Sequence, residues 1–458
     1  MNHYEKKILI IGGGVTGVAA AAFALQNGFK NVTLIESSDT LGGLHKDIEI
    51  DGLHYDLGAF LFHSNHKLLS LFPGLKSMLV STAGARHLSL TQKHNIDAYP
   101  LTLQQYVKEN GMIATGFDLV KLFIYRMFHS SRKCKNVDEL LTYYMGFFYK
   151  KTGLKNYIRR LYQMDPAEVS LEFTARRMNS VIERFKTRSV LKSLLRFKWK
   201  NLVRFKVSSD AFARPESGFG EMYRFIASEL EQSGCNLLLE ESIVKIHTAE
   251  KSIETRSGKI LTYDYLVSSM PLSAAAGMSG IPFNQQLNHR ALCSLFYEMP
   301  AEVISDCFVL FNFSGEGSWK RIIFHSNYYN KIRQDKRKQR HYFVVESMPG
   351  EEQADNATVA IQLDQDFRRS LAHTKWGDQF NCASLVGHHI TKNAYPLLDL
   401  NFKRTEITAF KEQMKALDIY LVGRQGEFDY ISSSDAAWAA VKVIQSMMER
   451  EHSYTTVS

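Results

Sequence analysis

Three glycines near the start of the chain, Gly12, Gly14 and Gly17, have the G-x-G-x-x-G spacing of a loop that binds the diphosphate of a dinucleotide. The apolar run at 8–11 before them and the alanine-rich stretch at 18–26 after them predict a strand, a tight turn and a helix. The first glycine permits the bend, the second lets the diphosphate approach the backbone, and the third lets the helix pack on the strand. The N–H groups at the start of the helix then face the anion.

A second apolar run, residues 32–35, ends at Glu36, about 20 residues beyond the glycines. A carboxylate at that distance accepts hydrogen bonds from the ribose hydroxyls of the adenosine, which argues against a 2′-phosphate there. The residues expected to hold the dinucleotide are Gly12, Gly14, Thr16, Gly17 and Glu36. A parallel strand unit that binds no ligand is the alternative interpretation of this pattern.

The next segment, LGGLHKDIEIDGLHYDLGAFLFHSNH, indicates which dinucleotide is bound. It contains the glycine pair Gly42 and Gly43, a predicted hairpin at 51–52, and the run YDLGA. Glu36 followed by this pair and this run resembles the group of FAD enzymes that includes amine oxidases, protoporphyrinogen oxidase and UDP-galactopyranose mutase. The resemblance implies that FAD is the cofactor, and that it is also contacted by Gly42, Gly43, Leu44, Gly58, Ala59 and Phe60.

Later segments resemble further landmarks of the same group, in the same order. RPESGFGEMYRFIASEL looks like its proline and glycine turn before a helix, and Val244 resembles the residue that packs against the adenine. YDYLVSSMPL resembles the strand that returns to the dinucleotide domain. The segment IYLVGRQGEFDYISSSDAAWAAV resembles the closing strand, turn and last helix, with Ser433 or Ser434 expected to cap a helix from about residue 435. The residues of this segment that would meet the cofactor are Gly423, Arg424, Tyr430 and Ser432.

Within the group, the nearest likeness is to the UDP-galactopyranose mutase family. The segments GAFLFHSN, WKRIIFHSN, ITKNAYPLLDL and GRQGEFDY carry it. It implies that the reduced flavin acts as a nucleophile on a sugar while protein groups hold the diphosphate, for which arginine and tyrosine are suited. The implied catalytic residues are His63, Arg321 and Arg424. The implied substrate-binding residues are Tyr162, Arg321, Tyr395, Arg424 and Tyr430.

The chain also departs from the mutase pattern at three positions. Phe60 stands where the mutase has a histidine, Tyr162 lies near the place of a tryptophan that stacks on uracil, and Ser432 replaces an acidic residue. The resemblance therefore supports a diphosphate-like substrate better than UDP-galactose itself. Each candidate also has a structural alternative: a surface salt bridge for Arg321, and simple packing for Tyr395 and the histidine at position 63.

The predicted fold class is α/β, with a discontinuous Rossmann-like FAD-binding domain, a helical insert and a β-sheet substrate domain. The FAD-binding domain is expected at 1–85, 206–271 and 416–458, the helical insert at 86–205, and the β-rich domain at 272–415. Runs such as CFVLFNF, RIIFHS, HYFVVESM and ATVAIQL suggest the strands of the last domain. The run IRQDKRKQRH is expected to be an exposed turn.

Composition limits the function further. The formal charge is +9, and the stretch at 184–206 alternates basic with apolar residues and contains no acid. It is either a solvated helix face or a peripheral contact with an anionic membrane. Nucleic-acid binding is not expected, because no binding module accompanies it. The five cysteines have no paired spacing, so we expect neither disulfides nor a metal site, and the lack of a leader or of a long apolar run predicts a cytoplasmic protein.

Three functions are compatible with these features. The first is a mutase-like flavoenzyme that acts on a nucleotide-linked or lipid-linked diphosphate sugar in the synthesis of cell-surface polysaccharide. The second is an FAD-dependent oxidoreductase that oxidises an amine or a small apolar ring. The third is a related binding module without catalysis. The sequence leaves the oligomeric state open.

Overall fold

The computed structural model describes residues 3–99, 103–186, 211–300, 302, 304, 306–332, 339–350 and 358–455. The chain forms two compact units. The first comprises Met1–Ser81, Ala211–Leu287 and Lys403–Ser458, and the second comprises Thr82–Asp210 and Asn288–Phe402.

The first unit is built on a five-stranded parallel sheet. Its strands, in spatial order, are Asn236–Leu238, Asn31–Ile35, Lys7–Ile11, Tyr265–Ser268 and Ile419–Leu421. Four of the five residues in the central strand are buried, as expected for a parallel sheet that is covered on both faces. Helix Val15–Gln26 packs on this strand and on the last helix, Ser433–Thr455, and alanines on the first helix permit the close approach. The predicted Rossmann-like α/β fold is confirmed.

Smaller elements complete the first unit. A hairpin, Asp47–Ile50 with Leu53–Asp56, confirms the turn predicted at 51–52. The other strands are Phe62–His63, Val80–Ser81, Ala211–Ala213, Ile243–His247, Ser252–Thr255 and Ile260–Thr262. The other helices are His3–Glu5, Lys67–Leu71, Leu75–Met78, Phe219–Gln232, Leu272–Ser279, Arg404–Ala416 and Gly423–Gly426.

The second unit contains a seven-stranded sheet. Its strands, in spatial order, are Ser384–Pro396, His289–Met299, His341–Ser347, Trp319–Ile323, Cys307–Asn312, Arg86–Leu90 and Ile96–Ala98. Neighbouring strands are antiparallel except for the parallel pair Cys307–Asn312 and Arg86–Leu90. Helix Val359–Leu371 packs its apolar side on this sheet.

The other described elements of the second unit are helices. They are Leu103–Asn110, Met112–Phe128, Ser131–Lys133, Val137–Met145, Phe147–Lys151, Leu154–Tyr162, Pro166–Glu168, Thr174–Met178, Asn179–Phe185, Ser326–Ile332, Val359–Leu371 and Gly377–Asn381. None of the helices among the described residues is long and apolar enough to cross a membrane.

One predicted strand is wrong. The run ATVAIQL begins the helix Val359–Leu371, because its apolar positions continue through Leu363, Phe367 and Leu371 at helical spacing and form one buried face. The β-branched residues in this short run favour a strand, but the helical spacing of the apolar residues over the longer segment determines the structure. Two other predicted segments lie largely outside the described residues: the turn at 332–341, of which 333–338 are not described, and the basic stretch, which is not described from 187 onward.

Candidate functional site

The first glycine loop follows the central strand of the first unit. Gly12 has a φ of +96°, and its N–H donates to the Ile35 carbonyl at 2.8 Å. A Cβ atom added at Gly17 would lie 1.8 Å from the Gly12 carbonyl oxygen. Both residues must therefore be glycine for the helix Val15–Gln26 to start directly over the strand.

Gly14 differs from its two neighbours in the motif. Its φ of −73° is open to any residue, and an added Cβ would meet only the Gly43 Cα, at 3.6 Å. The fold alone therefore tolerates a small side chain here. Since this residue precedes the first helical turn, whose N–H groups lack partners within the helix, its missing side chain leaves room for an anion.

The second glycine pair lies against the first loop. The Gly42 N–H donates to the Gly13 carbonyl at 2.9 Å, and Gly42 and Gly43 have φ values of +130° and +60°. A Cβ at Gly43 would lie 2.9 Å from the Gly14 Cα. The two predicted glycine motifs thus form one surface of bare backbone.

Glu36 is fixed beside this surface. Its Oε2 accepts from the Gly13 N–H at 2.7 Å, and its Oε1 accepts from the Ser38 N–H at 2.9 Å. The side chain is buried at the end of its strand. The arrangement places a carboxylate next to the loop that would hold a diphosphate, which suits contact with an adjoining ribose.

The closing turn packs on the first helix. Gly423 has a φ of +87°, and an added Cβ would lie 2.4 Å from Thr16 Oγ1. Arg424 folds back into its own turn, donating to the Ile431 carbonyl from Nη2 at 2.7 Å and from Nε at 3.2 Å. Its guanidinium lies 5.7 Å from the centre of the Tyr430 ring. The structure thus brings together the predicted residues of this turn, and Arg424 is half-buried there.

The last helix begins earlier than predicted. It starts at Ser433, and the capping residue is Ser432, whose Oγ accepts from the Asp435 N–H at 3.1 Å and donates to Asp435 Oδ2 at 2.7 Å. The expectation of a cap at Ser433 or Ser434 was wrong, because the reciprocal Ser432–Asp435 pair satisfies the end of the helix.

A buried histidine lies next to the second glycine pair. His45 contacts Phe60 and Phe219, with ring centres at 4.7 and 5.3 Å, and its Nδ1 lies 2.9 Å from the Tyr223 hydroxyl. Burial, with smaller effects of His66 and Arg424, lowers the pKa of His45 to about 3. This ring is therefore neutral near pH 7, and it joins the glycine surface to the helix that carries Tyr223.

A buried ion pair holds the hairpin in place. Arg214 is completely buried and donates from Nε to Asp56 Oδ1 at 2.5 Å, and from Nη2 to the His54 carbonyl at 2.6 Å. Its Nη1 donates to the Pro215 and Glu216 carbonyls. The pair therefore fixes the backbone that leads into the predicted cofactor residues Gly58, Ala59 and Phe60. The RPESGFGE motif contained this arginine, but its partner 158 positions away could not be identified from sequence spacing.

His63 and His66 have different surroundings. His63 is exposed on the strand Phe62–His63, whereas His66 is buried and its Nε2 lies 3.1 Å from Ser433 Oγ. Burial, with a smaller effect of His63, lowers the pKa of His66 to about 4. The remaining predicted cofactor residues, Leu44 and Val244, are 40% and 43% exposed, which leaves their side chains accessible to a ligand.

In the second unit, a β-bulge creates a cluster of charges. Trp319 pairs with Ser347, and Arg321 pairs with Glu346. Lys320 is an extra residue between these two pairs, which is a β-bulge. In a regular strand, adjacent side chains point to opposite faces, but here Lys320 and Arg321 both reach the same carboxylate.

We call the three charged residues the cationic cluster. Lys320 Nζ lies 2.6 Å from Glu346 Oε2, and Arg321 Nη2 lies 2.7 Å from Glu346 Oε1. Burial alone would raise the pKa of Glu346, but Arg321 and Lys320 hold it below its usual value. The Arg321 side chain remains 19% exposed, whereas the other two are almost completely buried. Two cations on one carboxylate give the cluster an excess of one positive charge.

Tyr395 and Tyr162 lie in the same unit as the cluster. Tyr395 is buried and accepts a hydrogen bond from Lys320, whose Nζ lies 4.3 Å from the ring centre. Tyr162 is completely buried, with its ring edge-on to Phe173 at 5.2 Å and its carbonyl bonded to Arg290. Tyr162 therefore has no exposed ring face for a substrate in this structure.

Sequence reasoning missed Arg160. This buried side chain donates to four carbonyls, those of Asn312, Ser314, Glu316 and Gly317, at 2.6 to 3.0 Å. Burial lowers its pKa to about 10. Arg160 thereby fixes the loop that leads into the strand with Lys320 and Arg321. Nothing in the local sequence distinguishes it from its neighbour Arg159, which is exposed.

The predicted residues thus form two groups. Those for the cofactor, together with His63, Arg424 and Tyr430, belong to the first unit, and Arg321, Tyr162 and Tyr395 belong to the second.

Comparison with known proteins finds a family match within the first unit. A family model described as an NAD(P)-binding Rossmann-like domain matches residues 10–73. Polyamine oxidase 5 of Oryza sativa subsp. japonica is 38% identical over 104 residues, which are 22% of this chain and 20% of that protein. 4,4′-Diaponeurosporene oxygenase of Staphylococcus haemolyticus is 24% identical over 201 residues, 33% of this chain and 39% of that protein. The matches thus span about a fifth to two fifths of the length of these relatives.

Solved structures match almost the whole chain. Reduced UDP-galactopyranose mutase has a TM-score of 0.74 at 18% identity, and the match covers 97% of this chain and 94% of the mutase. A redesigned putrescine oxidase has a TM-score of 0.62 at 15% identity, covering 97% of this chain and 99% of the oxidase. The chain contains a Rossmann-like domain and has the fold of the amine oxidase and protoporphyrinogen oxidase class, as predicted. The same comparisons support FAD as the cofactor.

Proposed function

We propose that this chain is a flavoenzyme that holds FAD on its first unit. It acts on a nucleotide-linked or lipid-linked diphosphate sugar in the synthesis of cell-surface polysaccharide. The bare backbone formed by the two glycine motifs beside Glu36 carries the cofactor part of the proposal. A cytoplasmic location belongs to the same proposal and is tested by cell fractionation.

The residues of the first unit fit FAD. The space over Gly14 and the N–H groups of the first helical turn suit a diphosphate, and Glu36 suits an adenosine ribose. Val244, Leu44, Gly58, Ala59 and Phe60 are the proposed contacts for the remaining parts of the cofactor. FAD, when bound, supplies either a nucleophile towards a sugar or an acceptor of hydride.

The cationic cluster supports an anionic substrate. Arg321 is the partly exposed cation of a cluster that has one positive charge in excess. A planar guanidinium can donate two parallel hydrogen bonds to a phosphate. We assign Arg321 and Tyr395 to substrate binding, with Arg160 as a positioning residue for the strand that carries Arg321.

Arg424, Tyr430 and His63 stand as further candidates. Arg424 donates to the Ile431 carbonyl, so it would have to divide its donors between that carbonyl and a ligand. The imidazole of His63 is exposed, so a ligand can reach it. Tyr162 stays in the proposal only as a packed side chain, because its ring is buried.

The test is a panel of sugar nucleotides, incubated anaerobically with chemically reduced protein and followed by mass spectrometry and chromatography of the products. The proposal expects an isomer of at least one member of the panel to form with reduced but not with oxidised protein. If no sugar nucleotide binds or reacts in either state, the substrate part of the proposal is wrong. The flavin content of the purified protein tests FAD binding separately.

An oxidoreductase is the second candidate, because the curated relatives are polyamine oxidases and carotenoid-modifying enzymes. It predicts that a polyamine or an apolar polyene bleaches the flavin absorbance in the absence of oxygen. Flavin that is reduced by dithionite but by no member of an amine and polyene panel would count against it.

A further inference from the structure

One helix of the second unit exposes an apolar face. Along Met112–Phe128, the side chains that project outward at spacings of three and four residues are 49% to 80% exposed, and they include Ile113, Phe117, Val120, Phe123, Ile124 and Phe128. Isolated exposed apolar residues are common, but a continuous stripe of this kind marks an interaction surface. We call Met112–Phe128 the exposed apolar helix.

Two charged residues of the same helix, Asp118 and Arg126, point into the protein. Asp118 is buried, and its Oδ2 accepts from Tyr106 Oη at 2.7 Å and from Lys151 Nζ at 2.6 Å. Arg126 donates to the Tyr143 carbonyl at 3.0 Å and to the Phe185 carbonyl at 2.7 Å. This is the reverse of the usual amphipathic arrangement. Because these bonds lock the rotation of the helix, the apolar side is held outward.

Four exposed basic residues lie at the edge of this face or just beyond its end, where Glu139 is the exposed acid nearest in sequence. Lys121 is exposed at its edge, and Arg132, Lys133 and Lys135 are exposed just beyond the C-terminal end of the helix. The acid of the helix, Asp118, is turned inward and neutralised by Lys151. An apolar stripe bordered by exposed cations complements a surface that is apolar inside and anionic outside.

The chain continues from this point into its most basic segment. Phe185, whose carbonyl binds Arg126 of the exposed apolar helix, is followed at once by the run that ends at Lys206. Between positions 184 and 206 the sequence has no acid, and its basic residues are Arg184, Lys186, Arg188, Lys192, Arg196, Lys198, Lys200, Arg204 and Lys206. Beyond Lys186 this run is known from the sequence alone, and the exposed cations that the structure describes are those at the edge and end of the helix.

We propose that the exposed apolar helix lies in the surface of a membrane that contains anionic phospholipid, with its apolar stripe among the acyl chains and the basic residues at the headgroups. The membrane contact expected from sequence relied on 184–206 alone. In this proposal, the exposed apolar helix provides the insertion, and the exposed cations Lys121, Arg132, Lys133 and Lys135 provide the attraction, since stable anchoring generally needs two such signals. The inference is independent of the proposed catalytic function.

Vesicle flotation of the full-length protein tests the proposal. The variant Phe117→Ser/Ile124→Ser removes two exposed apolar side chains, and Ile361→Ser/Leu400→Ser removes two of similar exposure elsewhere in the same unit as the control. We expect the wild type and the control to float with phosphatidylcholine vesicles that contain phosphatidylglycerol. We expect the first variant to partition into these vesicles at least about tenfold less than the wild type, because two apolar side chains that would be buried in the membrane are lost.

The other arms separate the alternatives. Pure phosphatidylcholine vesicles and high salt should both weaken the binding of the wild type, because the basic residues no longer contribute fully. Failure of the wild type to bind anionic vesicles, or equal binding of the two double variants, would overturn the proposal. Light scattering that shows a dimer of the wild type, dissociated by Phe117→Ser/Ile124→Ser without any vesicle binding, would assign the face to a second copy of the chain instead.

Discussion

Two buried ionic arrangements, one in each unit, differ in their charge balance. In the first unit, the guanidinium of Arg214 meets the carboxylate of Asp56 and three carbonyls, and no part of it is exposed. In the second unit, Lys320 and Arg321 share the single carboxylate of Glu346, and Arg321 stays partly exposed.

We propose that this difference separates a structural role for Arg214 from a binding role for Arg321. A buried pair with balanced charge and satisfied donors has little left to offer a ligand, so its role is to hold the hairpin and the turn together. A cluster with an extra cation is not balanced by its own carboxylate, and an anion would supply the missing charge. Both arrangements are largely buried, so burial does not distinguish them, whereas their net charge does.

The largest expected effect is the loss of the balanced pair. We predict that Arg214→Ala lowers the free energy of unfolding by about 3 to 5 kcal/mol, because it leaves the Asp56 carboxylate buried without its partner. Chemical denaturation measures this. The control is Arg159→Ala, which breaks the exposed pair with Asp165 and should cost less than about 1 kcal/mol. Equal losses for the two variants would contradict the structural role of Arg214.

Arg321→Met should behave differently. Lys320 still neutralises Glu346 in this variant, so we expect a much smaller loss of stability than for Arg214→Ala. Binding of a sugar nucleotide should weaken by about 2 to 4 kcal/mol, the range for losing a buried, charged hydrogen-bond partner. Isothermal titration calorimetry and denaturation of the same sample provide both numbers. Unchanged affinity together with a large loss of stability would make the cationic cluster structural, like the pair in the first unit.

Two buried histidines of the first unit, His45 and His66, predict that the stability of the protein depends on pH. Their folded-state pKa values, about 3 for His45 and about 4 for His66, lie below the ordinary 6.5. Between pH 6.5 and 4, the unfolded chain therefore binds protons that the folded chain does not. The free energy of unfolding should fall as pH falls, by up to about 1.4 kcal/mol per pH unit for each histidine.

Chemical denaturation between pH 7 and 4.5 checks this prediction. Replacement of a histidine that titrates should reduce the slope of the free energy of unfolding against pH. We expect His45→Gln and His66→Gln each to reduce the slope, and His129→Gln, at an exposed position, to leave it unchanged. If all three variants keep the wild-type slope, the buried histidines do not control the acid sensitivity.

The smallest predicted effect concerns the cap of the last helix. Ser432→Ala should cost about 1 kcal/mol, because the Asp435 N–H loses its acceptor. Ser70→Ala, at an exposed helical serine bonded to the Lys67 carbonyl, is the control and should change stability little. Thermal unfolding measures both variants, and a larger loss for Ser70→Ala would place the start of the helix elsewhere.

The sequence predicted the first unit better than the second for a physical reason. Backbone conformation or close approach requires glycine at positions 12, 17 and 423, so the residue type at these positions already indicates the local structure. The cationic cluster depends on a bulge at Lys320 and on strand pairing with Glu346, 26 positions away. The spacing of the residues does not reveal such a pairing, which is why the sequence pointed to Arg321 and not to its neighbour.

Other differences between the sequence predictions and the structure have equally local causes. The strand expected in ATVAIQL ignored the helical period that continues beyond it to Leu371. Tyr162 was chosen as a possible stacking residue by its place in the chain, yet packing against Phe173 leaves it no exposed face. Arg160 was overlooked because its four acceptors are backbone carbonyls, which leave no mark on the sequence.

The decisive measurement is the flavin content of the purified protein, compared with that of Gly14→Ala and of Gly277→Ala, a glycine with open space around it. The wild type and Gly277→Ala should be yellow and release equimolar FAD on denaturation. Gly14→Ala should fold with unchanged secondary structure, as measured by circular dichroism, but bind FAD at least about tenfold more weakly, because its methyl group enters the space of the diphosphate. A colourless wild type that binds no added FAD, or Gly14→Ala with full FAD content, would contradict binding at the glycine surface.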